Sequence, residues 1–297
     1  MSGEQSDDGI VGRLGAIDRS RIGLYAVLLA MVAFYLAPLE SGLVTAFKTQ
    51  TGFTQTTPFA PPPPGEFTTA AWQVAFDRLR EGLVNSLLMA VPATVLSALL
   101  GSLAAYGLTN LSWRGQLGVL VLFVSGVFLP YQSVLVPLTQ FWSFVDLAGR
   151  IPLSVVDDYD GLIHLSITHA AYGVPICTVL FRSYYATIDD EMLEAARLDG
   201  ASAATIYRRI ILPLSVPIFA VTLIYQFTQI WNDLLFALVL ISDPGNNVVT
   251  VALNQLQGSF VQQYNLQMAG AFIAALPTLV VYVLFGEQFA KGVAGET

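Results

Sequence analysis

Six stretches of the chain are apolar over about 20 residues each, the length a helix needs to cross the hydrocarbon core of a bilayer. They fall at 22–39, 83–108, 117–138, 162–181, 214–241 and 268–286. Between the fourth and the fifth, residues 186–213 read as a short polar helix, a turn and a second helix wedged between two long apolar segments. The pattern therefore predicts an all-α membrane protein of six transmembrane helices with one short helix inserted between helices 4 and 5. Residues 1–21 form an acidic tail with Asp7, Asp8 and Asp18 and no small-residue cleavage site, so the first apolar stretch reads as a retained helix and not a signal peptide. The membrane domain spans 22–293, and 294–297 is a short tail. The connection 41–82 contains Pro58 and the run Pro61 to Pro64, which cannot build a helix and is expected to lie extended as a spacer. Trp72 to Arg80 is expected to form an interfacial helix leading into the second span.

Polar residues and prolines inside the spans carry the next layer of information. Ser97, Gly101 and Ala105 recur every four residues, a stripe that lets helices approach closely and says no more than that. Pro130 and Pro137 should kink or break the third span. In the fourth, His164, Thr168, Tyr172 and Pro175 share a face; His164 and His169 lie five apart, on different faces, so a shared metal site of the H-E-x-x-H type is excluded. The fifth carries Thr222, Gln226, Gln229 and Asp233 at offsets 0, 4, 7 and 11, a single stripe on a continuous helix. With Trp231 and Asn232 beside Asp233, the stripe has two readings of equal weight. It lines a polar path with amides, an acid and an indole suited to a sugar, or the glutamines cross-link helices and Trp231 belongs to an interfacial aromatic belt. The outer loop 139–161, with Asp146, Arg150, Asp157, Asp158 and Asp160, is either a solvated loop or a docking surface for an extracellular partner.

Composition agrees with the bilayer: 55% of residues are apolar and only 11% charged. Placing both termini in the cytoplasm puts Arg13, Arg19, Arg21, Arg114, Arg182, Arg197, Arg208, Arg209 and Lys291 inside, against Lys48, Arg78, Arg80 and Arg150 outside, and this nine-to-four split favours that orientation. The polar insert then faces the cytoplasm. A net charge of −8 is unusual beside such a topology, and adaptation of the exposed parts to high salt is the expectation it raises; activity indifferent to molar salt would remove it. Cys177 is the single cysteine, so no intrachain disulfide forms, and its reading is a packing residue.

The insert is the most specific element. Thr187 with Asp190 three positions on offers a capping box, Asp189, Asp190 and Glu191 suit a helix N-terminus, and Gly200 stops the helix. Its sequence runs Glu194-Ala195-Ala196, three residues ending in Asp199, Gly200, nine residues, then Ile210-Ile211-Leu212-Pro213. That pattern resembles the cytoplasmic signature loop of ABC-importer permeases. Asn85-Ser86-Leu87, Ala104-Ala105-Tyr106, Trp231-Asn232-Asp233, Thr250-Val251-Ala252-Leu253 and Phe289-Ala290-Lys291-Gly292 are similar to the carbohydrate branch of that family, near the smaller maltose-system permease. The resemblance covers roughly residues 22–293, while the final tail lacks the family's basic ending. It implies a multi-pass cell-membrane subunit that pairs with a second permease, two ABC ATPase subunits and an extracellular solute-binding protein, with membrane lipid around it and no nucleic acid. It also implies that Glu194 to Gly200 is a coupling helix seated in a cleft of the ATPase, with Ile210, Leu212 and Pro213 behind it. Arg208 and Arg209 pair either with ATPase acids or with anionic lipid.

The chain has no energy source of its own. A phosphate-binding loop needs Gly, four residues and Gly-Lys-Ser/Thr, and the only lysines, Lys48 and Lys291, follow Phe47 and Ala290. No G-x-S-x-G elbow is present, so the chain is not expected to be an enzyme or to hold a cofactor; ATP and magnesium belong to the partner ATPases. The rival classes are a permease for another solute, an ion-driven transporter, which would want inverted repeats and more intramembrane acids, and an intramembrane enzyme built on His164, His169 and Asp233, whose spacing fits no motif.

Overall fold

The structure, a computed structural model, describes residues 19–150, 154–257 and 263–294. Among these the regular structure is helical, apart from one isolated bridge between Lys48 and Phe67. The first half contains α1 (Arg19–Ala46), α2 (Gln50–Gln55), α3 (Ala70–Thr109), α4 (Gln116–Val127), α5 (Tyr131–Val145), α6 (Leu147–Arg150) and α7 (Ser154–Asp158). The second half contains α8 (Asp160–Tyr185), α9 (Asp190–Leu198), α10 (Ala203–Ile206), α11 (Leu212–Leu214), α12 (Val216–Trp231), α13 (Leu235–Leu240), α14 (Val249–Gln255) and α15 (Tyr264–Ala294). Four helices are long and apolar enough to cross a bilayer, or up to six crossings if each of two bent pairs counts as one.

The chain forms two compact units, one holding residues 19–72 with 263–269 and the other most of the remainder. In the first, α1 runs past the expected end at 39 to Ala46, so the connection is shorter than 41–82 and contains α2, capped by Thr49, whose Oγ1 accepts from Gly52 N at 3.1 Å. The proline run beyond it has no regular structure. Lys48 is fully buried; its Nζ donates to Thr57 O at 2.9 Å and its carbonyl accepts from Asn265 Nδ2 at 2.9 Å. The apolar side chains of α1 are exposed, Phe34 to 75% and Leu29 to 69%, as a helix meant for lipid or another helix would leave them.

In the second unit, α3 packs on α8 where the small-residue stripe is tightest. A Cβ on Gly101 would meet Cys177 Cβ at 2.4 Å, so only glycine permits this approach. Interfacial residues 72–80 are simply the first turns of the 40-residue α3. The third span breaks: α4 and α5 meet at 104° across Phe128–Pro130, because the residue before a proline is pushed out of helical conformation. Pro137 stays inside α5. The fifth span departs from the expected single helix over 214–241. A bend of 75° at Ser215 precedes α12, which stops at Trp231, and α13 starts only at Leu235. Asp233 therefore lies beyond the helix that carries Thr222, Gln226 and Gln229.

Candidate functional site

Two places bring the expected residues together: the insert between α8 and α12, and a cavity midway along α8. The insert starts on a different cap from the one the spacing suggests. Asp189, not Thr187, accepts from Glu191 N at 2.9 Å, because Thr187 Oγ1 turns back to Tyr184 O at 2.7 Å and closes α8. The helix ends at Gly200, φ +81°, with Gly200 N bonded to Arg197 O and Ala201 N to Ala196 O, each at 3.0 Å; this pair of bonds is the Schellman stop. Leu193 is fully buried in one apolar cluster with Tyr106, Tyr185 and Tyr207, and the Tyr185 and Tyr207 hydroxyls meet Ser102 Oγ at 2.6 and 2.8 Å. Arg197 Nη2 donates to Asn110 O at 2.9 Å. One face of α9 is thus fastened to its own protein, whereas Glu194, Ala195, Asp199 and Gly200 are exposed, Ala196 is half-buried and Leu198 is 89% exposed.

Behind α9, residues Tyr207–Ile211 form one π turn in which Leu212 N reaches back to Tyr207 O. Pro213 gives the reason: its ring would press on the carbonyl four residues earlier in a regular helix, and one extra residue in the turn relieves that. Ile211 is buried, Ile210 and Leu212 are half-buried, and Pro213 is exposed.

The cavity, of about 200 Å3, lies between the α4–α5 break, α8 and α12. Tyr131, Tyr172, Tyr225, Gln226 and Gln229 bring its polar groups, over an apolar floor that includes Leu129 and Ile176. Tyr172 OH donates to Leu129 O, one of the carbonyls left free where α4 stops. Gln226 is buried and its amide lies over Gly173, where an added Cβ would fall 2.1 Å from Nε2. Gln229 Nε2 donates to Tyr225 OH at 3.3 Å, one helical turn away. Sequence spacing pointed to Tyr172, Gln226 and Gln229 but not to Tyr131 or Tyr225. The available signals were Tyr131 following the break-making Pro130, and Tyr225 standing four before Gln229.

The other residues of the expected polar stripe lie away from this cavity. Thr222 is fully buried, and its Oγ1 has no hydrogen-bond partner among the described residues. Trp231 is buried, donating from Nε1 to Ala274 O at 2.9 Å and stacked on Phe227; it joins α12 to α15. Asn232 is exposed and its Nδ2 turns back to Thr228 O at 2.8 Å. Asp233 is buried, and its Oδ2 accepts from Phe236 N and Ala237 N at 3.1 and 3.3 Å, capping α13.

The two histidines meet different carboxylates. His169 Nε2 lies 3.4 Å from Asp233 Oδ2, and His164 Nε2 lies 3.1 Å from Asp160 Oδ1. His164 also stacks on Trp142, whose Nε1 donates to Thr168 Oγ1 at 2.9 Å. The expected face of α8 is thereby assigned to α5 at His164 and Thr168, and to the cavity at Tyr172. A second, more open cavity of about 340 Å3 lies beside His164, lined by Trp142, Asp146 and Asp160 among others. Asp157 and the side chain of Lys291 lie outside the residues whose side chains the structure describes.

Residues 83–289 match the family described as binding-protein-dependent transport system inner membrane component. The chain is 47% identical over 290 residues to the xylose/arabinose import permease protein XacI of Haloferax volcanii, covering 94% of each. It is 28% identical over 280 residues to the glucose import system permease protein GlcU of Saccharolobus solfataricus, covering 92% of this chain and 93% of that one. In fold it is similar to a chain of a bacterial ABC transporter that imports the acidic polysaccharide alginate, with a TM-score of 0.72 at 18% identity over 93% of this chain and 98% of that chain.

Proposed function

Because the chain belongs to the family of binding-protein-dependent transport system inner membrane components, multi-pass cell-membrane permease subunits of ABC importers, we propose that it carries a single-ring sugar, a pentose or hexose, through the cavity between α4–α5, α8 and α12. The observation that carries this reading is the cavity's depth. Tyr172 and Gly173 stand at the middle of the 26-residue α8, which at 1.5 Å per residue is about 39 Å long, and an alternating-access transporter needs its site near the bilayer midplane. Tyrosine rings and glutamine amides suit a polyol, offering flat apolar faces together with donors and acceptors for hydroxyls. A cavity of about 200 Å3, open on one side, has room for a sugar ring. The sugars named for the Haloferax and Saccharolobus relatives support the class.

On this reading the chain crosses the membrane six times with both termini in the cytoplasm, as the arginine and lysine distribution favours. The exposed face of α9, with Glu194, Ala195, Leu198 and Gly200, seats in an ATPase subunit that binds ATP and magnesium. A second permease subunit completes the path, and an extracellular solute-binding protein delivers the sugar. Closure of the ATPase pair draws the α9 helices together and rocks the helices above them. Leu193, Arg197 and the tyrosine cluster under α9 are what make the motion of that small helix the motion of α3 and α8.

The test is uptake of labelled D-xylose, L-arabinose and D-glucose by proteoliposomes containing the permease pair, its ATPases and the binding protein. Uptake of at least one is expected to require ATP and to fall severely in Gln226→Ala/Gln229→Ala. Uptake driven by an ion gradient without the ATPases would overturn the importer assignment, and unchanged uptake in the double variant would remove the cavity from the path. Glu194→Lys and Gly200→Asp are expected to insert normally yet lose the ATPases on purification; wild-type assembly and uptake in both would refute the role given to α9.

A further inference from the structure

Asp233 and His169 are buried at 7% and 2% exposure, and neither lines the cavity, yet both connect to it through one side chain. The link is Phe236, which is fully buried. Its N–H donates to Asp233 Oδ2 at 3.1 Å, so the carboxylate determines where α13 begins and hence where the Phe236 ring sits. That ring is stacked on Tyr131 at 4.7 Å, meets Tyr172 edge-on at 5.6 Å, and is flanked by the His169 ring at 5.4 Å. Tyr131 and Tyr172 in turn meet edge to face at 4.6 Å and form one wall of the cavity.

On its far side Asp233 is held as firmly. Its main-chain carbonyl accepts from Thr250 Oγ1 at 2.7 Å, and its Oδ2 lies 3.4 Å from His169 Nε2. A carboxylate in an apolar interior is tolerated only where several groups point their positive ends at it, and here two backbone N–H groups do so with the His169 ring beside them. The gap at 232–234 thus has a built stop, and the stop bears on the tyrosines.

We propose that Asp233 and His169 are positioning residues for the sugar site: by capping α13 and bracing Phe236 they hold Tyr131 and Tyr172 at the spacing one sugar ring requires. This rests on the cavity being the sugar site, and the experiment separates the two claims. Nanodiscs containing the permease pair with its ATPases, without binding protein, are titrated with labelled D-xylose, or with whichever of the three sugars is transported, and complex recovery and basal ATPase activity are measured in parallel. Asp233→Ala is expected to weaken binding per recovered complex about tenfold, the equivalent of one net hydrogen-bond contribution, a larger loss than any in recovery. Asp233→Asn keeps an oxygen for the two N–H groups and is expected to recover most of that loss. His169→Ala is expected to weaken binding by less than Asp233→Ala.

If Gln226→Ala weakens binding while Asp233→Ala binds like wild type, the positioning role is wrong and the cavity stands. If neither variant alters binding, or the wild type binds no sugar, the cavity reading itself fails and takes this one with it. Equal loss of binding and of assembled complex in Asp233→Ala and Asp233→Asn would show a general folding role and overturn the proposal.

Discussion

Two apolar stretches of this chain are interrupted, and they are interrupted by different means. Between α4 and α5 the interruption is local: Pro130 pushes Leu129 out of helical conformation, and the chain turns through 104°. Between α12 and α13 there is no proline from Trp231 to Leu240, and the stop is made by side chains: Asn232 turning back on Thr228, Asp233 capping α13, and Thr250 taking the free carbonyl of Asp233. The first is a property of one peptide bond; the second needs partners 17 positions away in Thr250 and on another helix in His169. In a bilayer both must satisfy the backbone groups they release. The first does so with Tyr172 on Leu129 O, the second with Asp233 on Phe236 N, and the two sets of groups meet where Tyr131 stacks on Phe236. A polar cavity inside a membrane helix bundle is thus a by-product of helix ends that require polar neighbours.

The comparison can be broken at the point where both interruptions share a wall. Gly173→Leu would drive its Cβ to within 2.1 Å of Gln226 Nε2 and 2.9 Å of Ser97 Cβ; abolished sugar uptake with α8 still inserted is the expected result. Asp233→Ala leaves two buried N–H groups without an acceptor, each worth about 1–3 kcal/mol when unsatisfied, so it should lower the unfolding midpoint of the purified complex more than any change at the first break. Tyr172→Phe removes one hydroxyl from Leu129 O next to a cavity that water can enter, and a cost nearer 1 kcal/mol is expected in the same thermal measurement. Pro130→Ala should be smallest, below about 1 kcal/mol in either direction, since it relaxes the unfolded chain as much as the folded turn. Should Pro130→Ala prove costlier than Asp233→Ala, the contrast between a local and a tertiary break is wrong.

How much of this was legible follows the same division. The Pro130 break, the six apolar stretches and the Glu194–Gly200 insert with its glycine stop could all be read from neighbouring residues. A period of 3.6 carried through Trp231 puts Asp233 on a polar stripe, and nothing local marks the end of α12. Trp231 shows the same limit: an indole flanked by an amide and an acid reads as a sugar platform or as part of an aromatic belt, and the bond from its N–H to Ala274 O, 43 positions on, is visible only in the fold. Thr187 was displaced as cap of α9 for a simpler reason, since both Thr187 and Asp189 can cap and the preceding helix used the first.

The amino-acid sequence alone determined what depends on short range and on the solvent: which segments are apolar enough to leave water, which short helix stays polar, and where glycine and proline forbid a regular turn. Tertiary structure alone decided which polar groups face the cavity and which are consumed in holding it open. A buried donor or acceptor must be satisfied by whatever lies opposite: the Trp231 N–H finds Ala274 O on α15, and the half-buried Tyr172 hydroxyl finds Leu129 O in the break after α4, where no local period reaches.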